Sequence, residues 1–462
     1  MKKNLLRDSV ITGLALFAMF FGAGNLIFPP KIGLVSGEAW FLGALGLLLS
    51  AIILPVTAVW SVNNAGGDAR KLLHHVHPNA YTIANAVGWI FCGIGSTLPR
   101  VAAVTHELGV QALFPDVPIW VTVIVFFALL YFFAKDKDSV VDKIGKYLTP
   151  LLLILLAIVL IKGVISPVGT IGKQVVENAF TYALFQGYVI GDLTLGLMSA
   201  NIFVYAMRSK GYARNDEKKG IILAGMICVI VMFALYGTMV YIGATGASHF
   251  SADTEQAPLL VGLVNLILGG AGKACLGIVV ALACLTTGVA VATTIASFFS
   301  ELTKNKLKYR VLLLCMCIVC GLFSVSGVTN IINYVTPIFL SIYPPFIVAT
   351  FLGLFDKVIP NDGIYKGGVL TALVFGIFDG ILFIFPGFTA LSGVLVYIPL
   401  FSAGFGWVVP SIIAMIIGYF AYKGKARTYY NDTSASEAEQ KETVVSDERV
   451  ITNEIINKGG IK

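Results

Sequence analysis

Two short stretches of this chain set glycine beside polar residues inside apolar sequence: Phe21-Gly22-Ala23-Gly24-Asn25 and Gly187-Tyr188-Val189-Ile190-Gly191-Asp192. Glycine permits backbone angles that end a helix. A broken helix bares carbonyls on one side of the gap and amide N–H groups on the other. Those groups can hold a charged solute without a catalytic side chain. Residues 9–21 and 25–36 both read as helix. The amides of Ala23, Gly24 and Asn25 would open the second of these, where the helix dipole favours an anion such as a carboxylate. An ammonium needs acceptors instead. The first half-helix should end near Phe20 and Phe21. The outer half of the later segment should end near Phe185 and Gln186, with its break spanning Gly187 to Gly191. Phe185 and Tyr188 would then pack on an apolar side chain. A zwitterion such as an amino acid matches that set, with Gly22 counted among the binding residues of the break.

Other residues could carry charge or coordinate it. Ala283-Cys284-Leu285-Thr286-Thr287 places two hydroxyls and a carbonyl together, the hard oxygens a small cation such as Na⁺ would use. Threonine hydroxyls in membrane helices also bond back to the preceding turn. Asp192 is a carboxylate within an apolar segment, which makes it a functional candidate for coupling to a proton or cation. It would also cap the following half-helix. Arg100 and Lys31 lie near segment ends, where reaching to the interface competes with a gating role.

The elements that must position these residues are membrane helices. The 462 residues are 57% hydrophobic and 12% charged, about half the charge of an average soluble chain. A span takes roughly 20 apolar residues, and about twelve stretches qualify by that rule: near 9–33, 38–60, 80–104, 117–134, 147–166, 178–207, 219–244, 273–300, 309–327, 330–354, 367–387 and 393–422. The first has no small-residue cleavage site and continues through Pro29-Pro30, so it reads as a retained helix. Lys and Arg alternate from loop to loop. One set of loops is rich, with Arg70, Lys71, Arg208, Lys210, Arg214, Lys304 and Lys308 among its residues; the other carries Lys31, Arg100, Lys162, Lys173 and Lys273. The positive-inside rule then puts both termini in the cytoplasm, with an even number of spans. The net charge of +7 thus reports topology rather than nucleic-acid binding. Most tryptophans fall near span ends, as an interfacial belt would have them.

The interrupted segments are the first and sixth, five spans apart. An odd repeat length inserts the second copy upside down, the arrangement whose broken helices meet near the membrane midplane in secondary transporters. The expected organisation is a short cytoplasmic N-terminus (1–8), a first repeat (9–166), a second repeat (178–354), two further spans (367–422) and a disordered cytoplasmic tail (423–462) poor in aromatics.

Residues 13–30, Gly-Leu-Ala-Leu-Phe-Ala-Met-Phe-Phe-Gly-Ala-Gly-Asn-Leu-Ile-Phe-Pro-Pro, resemble the opening of the branched-chain amino acid:cation symporters, the BrnQ-type carriers. Gly187-Tyr188 with Asp192, Pro99-Arg100 and Cys284-Leu285-Thr286-Thr287 also look like family features, and the likeness runs from about residue 5 to 425. The resemblance implies uptake of leucine, isoleucine and valine driven by sodium or protons. It also implies an all-α polytopic membrane fold of the LeuT type, with five-plus-five inverted repeats, two added helices, and breaks in helices one and six. Under it, Ala283, Thr286 and Thr287 match the second sodium site of that fold, and Ala18 and Phe21 would add carbonyls. Asn25 matches an asparagine that binds a first sodium in some relatives; the rest of that site has no match here.

Competing classes are weaker. All seven cysteines fall inside predicted spans, and Cys315-x-Cys317-x-x-Cys320 has no His, Asp or Glu beside it, so packing explains it better than metal. Gly269-Gly270-Ala271-Gly272-Lys273 has Ile267 where a phosphate loop requires glycine and Ala274 where it requires Ser or Thr. Nothing suggests an enzyme, a cofactor beyond the coupling ion, a nucleic acid or an obligate protein partner. A channel would need a filter or ring of charge. An importer of a nucleobase or another amine on the same fold is the serious rival.

Overall fold

The computed structural model describes residues 4–22, 25–135, 154 and 156–428. Ala23 and Gly24, residues 147–153 and 155 of the fifth predicted span, and the part of the predicted disordered tail from 429 on lie outside them. Among the described residues every regular element is a helix.

The first interrupted segment is α1 (Leu5–Phe20) followed by α2 (Phe28–Ser36). Next come α3 (Trp40–Leu47) and α4 (Leu54–Asn64), joined without a gap by a π-helical stretch, Leu48–Ile53. A short α5 (Ala69–His74) leads to α6 (Ala80–Gly88), α7 (Leu98–Val104) and α8 (Gln111–Leu113). Those three make one continuous rod through two more π-helical stretches, Trp89–Thr97 and Thr105–Val110. Pro55 and Pro99 each follow a π stretch, and each proline faces a carbonyl four residues back, at Ala51 and Gly95, inside it. A widened turn accommodates the proline ring and its missing N–H.

The chain continues with α9 (Ile119–Ala134) and α10 (Leu156–Ile165), then α11 (Ala179–Ile190) and α12 (Asp192–Arg208), bent by 50° at Gly191. Two long helices follow, α13 (Arg214–Thr245) and α14 (Gln256–Leu302), the latter interrupted at Gly269. The set closes with α15 (Tyr309–Ser324), α16 (Val328–Leu354), α17 (Asp362–Ile384), α18 (Thr389–Leu395) and α19 (Val408–Ala421). Each predicted span thus meets a helix or a broken pair, but the twelfth, expected over 393–422, is regular α-helix only over Val408–Ala421 beyond the end of α18. The third is longer than expected and runs on to Leu113. The eighth starts earlier, and the discarded glycine run is its kink.

Packing follows an exchange between the two halves. The first broken helix, α1 with α2, lies on α13; the second, α11 with α12, lies on α3 and α4. Each half therefore lends its broken helix to the partner half's second span, as an inverted repeat requires. Glycines set the approach. A Cβ on Gly13 would meet the Ala224 carbonyl at 2.7 Å, and one on Gly33 the Val240 carbonyl at 1.8 Å. On the other pair, Gly46 meets the Phe180 carbonyl at 2.2 Å and Gly196 the Pro55 carbonyl at 2.6 Å. Small residues at helix contacts replace the hydrophobic drive that lipid does not supply.

One end of the bundle carries both described termini and most of the basic residues. There Asp8 accepts from Lys210 Nζ (2.9 Å) and Tyr212 Oη (2.7 Å), and Glu217 accepts from Arg208 Nε (3.1 Å) and from Arg214. Residues just past α19 dock beside α5. Arg427 Nη2 donates to His75 Nε2 (2.9 Å) and pairs with Asp356, while Thr428 N–H donates to Asp362 (2.9 Å). Because His75 Nε2 accepts, its Nδ1 carries the proton and donates to Asp362 Oδ1 at 2.9 Å.

Candidate functional site

The two breaks meet at the centre of the bundle. In the first, α1 stops at Phe20 as expected. Gly22 N–H turns back to the Phe20 carbonyl (3.0 Å), so the Ala18 carbonyl loses the partner an unbroken helix would give it. Asn25 N–H donates to the Gly22 carbonyl (2.9 Å). The second half-helix starts at Phe28, three residues later than expected, because Pro29 and Pro30 suit a first turn where no N–H is needed.

The second break is narrower than the expected Gly187–Gly191. It is Gly191 alone, left-handed with φ 92° and ψ 0°, a conformation glycine adopts freely. The outer half-helix ends at Ile190, not at Phe185 and Gln186. Phe185, Gln186, Gly187 and Tyr188 therefore sit inside regular helix. Phe185 stacks on Phe405 (5.7 Å between ring centroids), and Tyr188 packs on Tyr343 (4.7 Å). Gly187 is a packing residue: a Cβ there would meet Ser50 Oγ at 1.9 Å. Gln186 is half-exposed on the same helix.

Arg100 fills the space between the breaks. The expected span ended near residue 104, which put Arg100 at an interface. The actual helix continues to Leu113, so the side chain is mid-helix and 3% exposed. Its Nη1 donates to the Val189 carbonyl (3.1 Å) and its Nη2 to the Ile190 carbonyl (3.2 Å) and to Asn25 Oδ1 (3.2 Å). Asn25 Nδ2 in turn donates to the Phe20 carbonyl (3.2 Å) and faces both Asp192 oxygens at 3.4 Å. Asp192 is the first residue of α12 rather than its cap, since Gly191 holds that position and Asp192 makes no capping bond. Its charge still suits that helix end. Leu193 N–H donates to Tyr343 Oη at 3.2 Å. An arginine with two carbonyls, an amide and a carboxylate, all buried, is the polar centre of the molecule. Its sequence signal was an arginine within a long apolar stretch.

A cavity of about 390 Å³ adjoins this centre. Ala18, Phe20, Gly22, Asn25, Arg100, Ile190, Gly191, Asp192 and Thr287 reach it, together with apolar Trp89, Val101, Leu195 and Met198. Of the residues expected to bind solute, Phe20, Gly22 and Asn25 line it, whereas Phe21, Phe185, Gln186, Gly187 and Tyr188 do not. Phe21 is buried against Phe17 and Tyr236. Of the expected cation set, Ala18 and Thr287 line it. Thr286 Oγ1 donates to the Ala283 carbonyl at 2.9 Å, the back-bond anticipated for such a residue. Trp89 sits in the cavity wall rather than in an interfacial belt.

The cavity extends past Asn85, Ser199, Ile202 and Thr294, toward the end of the bundle that carries the termini. The opposite end is shut. Every described residue of α2 but Lys31 is buried, and Val175 N–H donates to the Val35 carbonyl at 2.9 Å. Lys31 Nζ ties α2 to the carbonyls of Ala252 (2.5 Å) and Thr254 (2.7 Å). Of the two roles open to Lys31, reaching to the interface or gating, this loop clamp at the shut end is not the first.

Comparison with known proteins agrees with this architecture. The fold matches the inward-facing conformation of Mhp1, with a TM-score of 0.60 at 13% identity over 93% of this chain and 94% of that one. It also matches Eremococcus coleocola manganese transporter structures, with a TM-score of 0.53 at 13% identity over 89% of this chain and 95% of that one. By sequence, the chain is 31% identical to the branched-chain amino acid permease BraB of Bacillus subtilis, over 91% of this chain and 96% of that protein. It is 32% identical to the branched-chain amino acid transport system 3 carrier protein of Pseudomonas aeruginosa, over 88% and 94%. The family model described as branched-chain amino acid transport protein matches residues 5–425. With its broken helices, its central cavity and these relatives, the chain is a multi-pass membrane protein that belongs to the branched-chain amino acid transport protein family.

Proposed function

We propose that this protein imports leucine, isoleucine and valine across the plasma membrane by symport with Na⁺, through alternating access. The observation that carries the reading is the cavity at the paired breaks. It joins a carboxylate and open backbone groups to a wall of Trp89, Val101, Leu195 and Met198, the combination a small aliphatic zwitterion needs. The ammonium lies toward Asp192 and the end of α1. The carboxylate lies toward the first break, beside Gly22 and Asn25, and the branched side chain against the apolar wall.

The coupling Na⁺ takes oxygens from Ala18, Phe21, Ala283, Thr286 and Thr287. The Ala18 carbonyl, released by the turn at Gly22, and the Thr287 hydroxyl both border the cavity. The body made by the exchanged pairs, α1 and α2 on α13 with α11 and α12 on α3 and α4, rocks against the remaining helices around this centre. The basic end of the bundle, with both termini, faces the cytoplasm by the positive-inside rule, so this conformation is the inward-open one. The burial of Asp192 at the break favours a second reading, in which a proton is the coupling ion.

Radiolabelled leucine uptake into proteoliposomes tests both readings, with an inward Na⁺ gradient, a proton gradient, or neither. Accumulation with Na⁺ that is lost in Thr286→Val/Thr287→Val supports the first. Accumulation with protons alone moves the coupling site to Asp192. Ion dependence that survives the double substitution removes the threonine site, and uptake of a nucleobase instead of leucine removes the substrate assignment.

A further inference from the structure

We infer that Arg100 is a tethered cation that occupies the position of a second coupling ion, so that one free cation moves with each amino acid. This builds on the ion-coupled reading above and adds its stoichiometry. The argument begins with the acceptors. Val189 and Ile190 carbonyls are at the open end of α11, where an ending helix leaves carbonyls unpaired. Asn25 Oδ1 comes from the other broken helix. At helix breaks in transporters, half-helix carbonyl ends of this kind coordinate small monovalent cations, and an amide oxygen is a hard ligand of the same class.

Here all three oxygens receive N–H bonds from one guanidinium, at 3.1–3.2 Å. The positive charge is therefore already in place, and arginine does not give it up. Two further contacts fit a permanent ion. The Phe28 ring lies 5.5 Å from Arg100 Cζ, and Asp192 faces Asn25 as the balancing anion. Arg100 Nε is buried without a protein acceptor, so the guanidinium is held through its two terminal nitrogens. A Na⁺ at this position would have to displace the side chain from two helices at once. The consequence is electrical: a neutral zwitterion carried with one free cation moves one net charge per cycle.

The test is the reversal potential of leucine flux in proteoliposomes holding the intact protein, at a fixed leucine gradient and varied Na⁺ gradient. One charge and one Na⁺ per leucine is the expected result, with hyperbolic Na⁺ activation. Two Na⁺ per leucine overturns the tethered-cation role. One proton per leucine, with no response to Na⁺, overturns the Na⁺ reading while leaving Arg100 in its role. Arg100→Lys, which keeps the charge, should keep the ratio at one. Arg100→Ala should lose most uptake and regain it with added guanidinium, or show sigmoidal Na⁺ activation as a second ion enters. A folded Arg100→Ala protein whose ratio and activation match the parent overturns the inference. Because the ratio is measured on the parent protein, a variant that fails to fold does not remove the test.

Discussion

Gly187 and Gly191 are four residues apart, and the structure gives them different work, which a substitution series can separate. A Cβ on Gly187 would lie 1.9 Å from Ser50 Oγ, 2.7 Å from Ser50 Cβ and 3.1 Å from the Ala51 nitrogen. Comfortable contact is about 3.5 Å, so Gly187→Ala must part the helices by about 1.5 Å or turn the serine away. Ser50 Oγ donates to the Gly46 carbonyl at 3.1 Å, and turning it forfeits that bond. Overpacking of this kind costs about 1–3 kcal/mol, or about 5- to 150-fold in the folding equilibrium. Ser50→Ala removes the 1.9 Å contact but leaves the one at 2.7 Å; Ser50→Gly removes both. In the Gly187→Ala background, Ser50→Ala should therefore recover part of the lost stability and Ser50→Gly more of it, with a favourable coupling of about 1–2 kcal/mol.

Gly191→Ala behaves otherwise. Its Cβ would meet only Phe339 ring carbons, at 3.3 and 3.4 Å. Its cost is the left-handed backbone, about 1–2 kcal/mol, and no substitution at Ser50 should recover it. Unfolding of purified protein by SDS titration, followed by tryptophan fluorescence, reads each value. A Gly187→Ala protein as stable as the parent, or a loss that Ser50→Gly leaves untouched, refutes the packing argument.

Three further outcomes follow from the same geometry. Asp192→Asn should raise KM for leucine about 10- to 150-fold, since a charge-assisted bond to an ammonium is worth about 1.5–3 kcal/mol; an unchanged KM in initial-rate uptake takes Asp192 out of substrate contact. Lys31→Met should release the Ala252–Thr254 loop, read as faster proteolysis there, with the termini-bearing end unaffected. Burial, and then the Arg427 guanidinium, hold the His75 imidazole below its ordinary pKa. The contact of His75 with Arg427 is thus at full strength above about pH 6.5 and weakens as pH falls toward the depressed value. Protection of the Thr428 amide, its exchange rate set against the intrinsic rate at each pH, should fall as the pH is lowered from about 7.5 to about 5.5, and His75→Gln should flatten that response; protection that ignores pH in the parent protein rejects it.

The helices were legible because lipid enforces them: runs such as 219–244 and 330–354 are too apolar and too long to be anything else. The paired interruptions were legible because glycine beside Asn25 and Asp192 is conspicuous in such runs. Less legible was where each break falls. Gly187 and Gly191 look alike as letters, and only the serine across the contact and the backbone angle tell them apart. Arg100 was misplaced for a related reason. Hydropathy ended its segment at 104, before Glu107, whereas the helix continues because the Glu107 carboxylate is satisfied by Val328 N–H at 2.9 Å. A burial partner so distant along the chain leaves no local trace. The reciprocal lending of α1 and α11 to the opposite halves was equally silent, since the two repeats share geometry without shared letters.

The three π-helical stretches have a consequence for how this chain tolerates changes in length. A π turn is an α-helix that has absorbed one extra residue. Removing a single residue within Leu48–Ile53 or Trp89–Thr97 lets the stretch relax to ordinary α geometry, and the residues beyond keep their azimuth. The same deletion inside α13 would rotate all that follows by about 100° and carry Val240 away from Gly33. Insertions and deletions should accordingly be accepted at the π stretches, ahead of Pro55 and Pro99, and rejected in the regular helices beside them. The bulges then act as length adjusters, from which Arg100 can be kept aimed at the breaks while the rod that bears it is shortened.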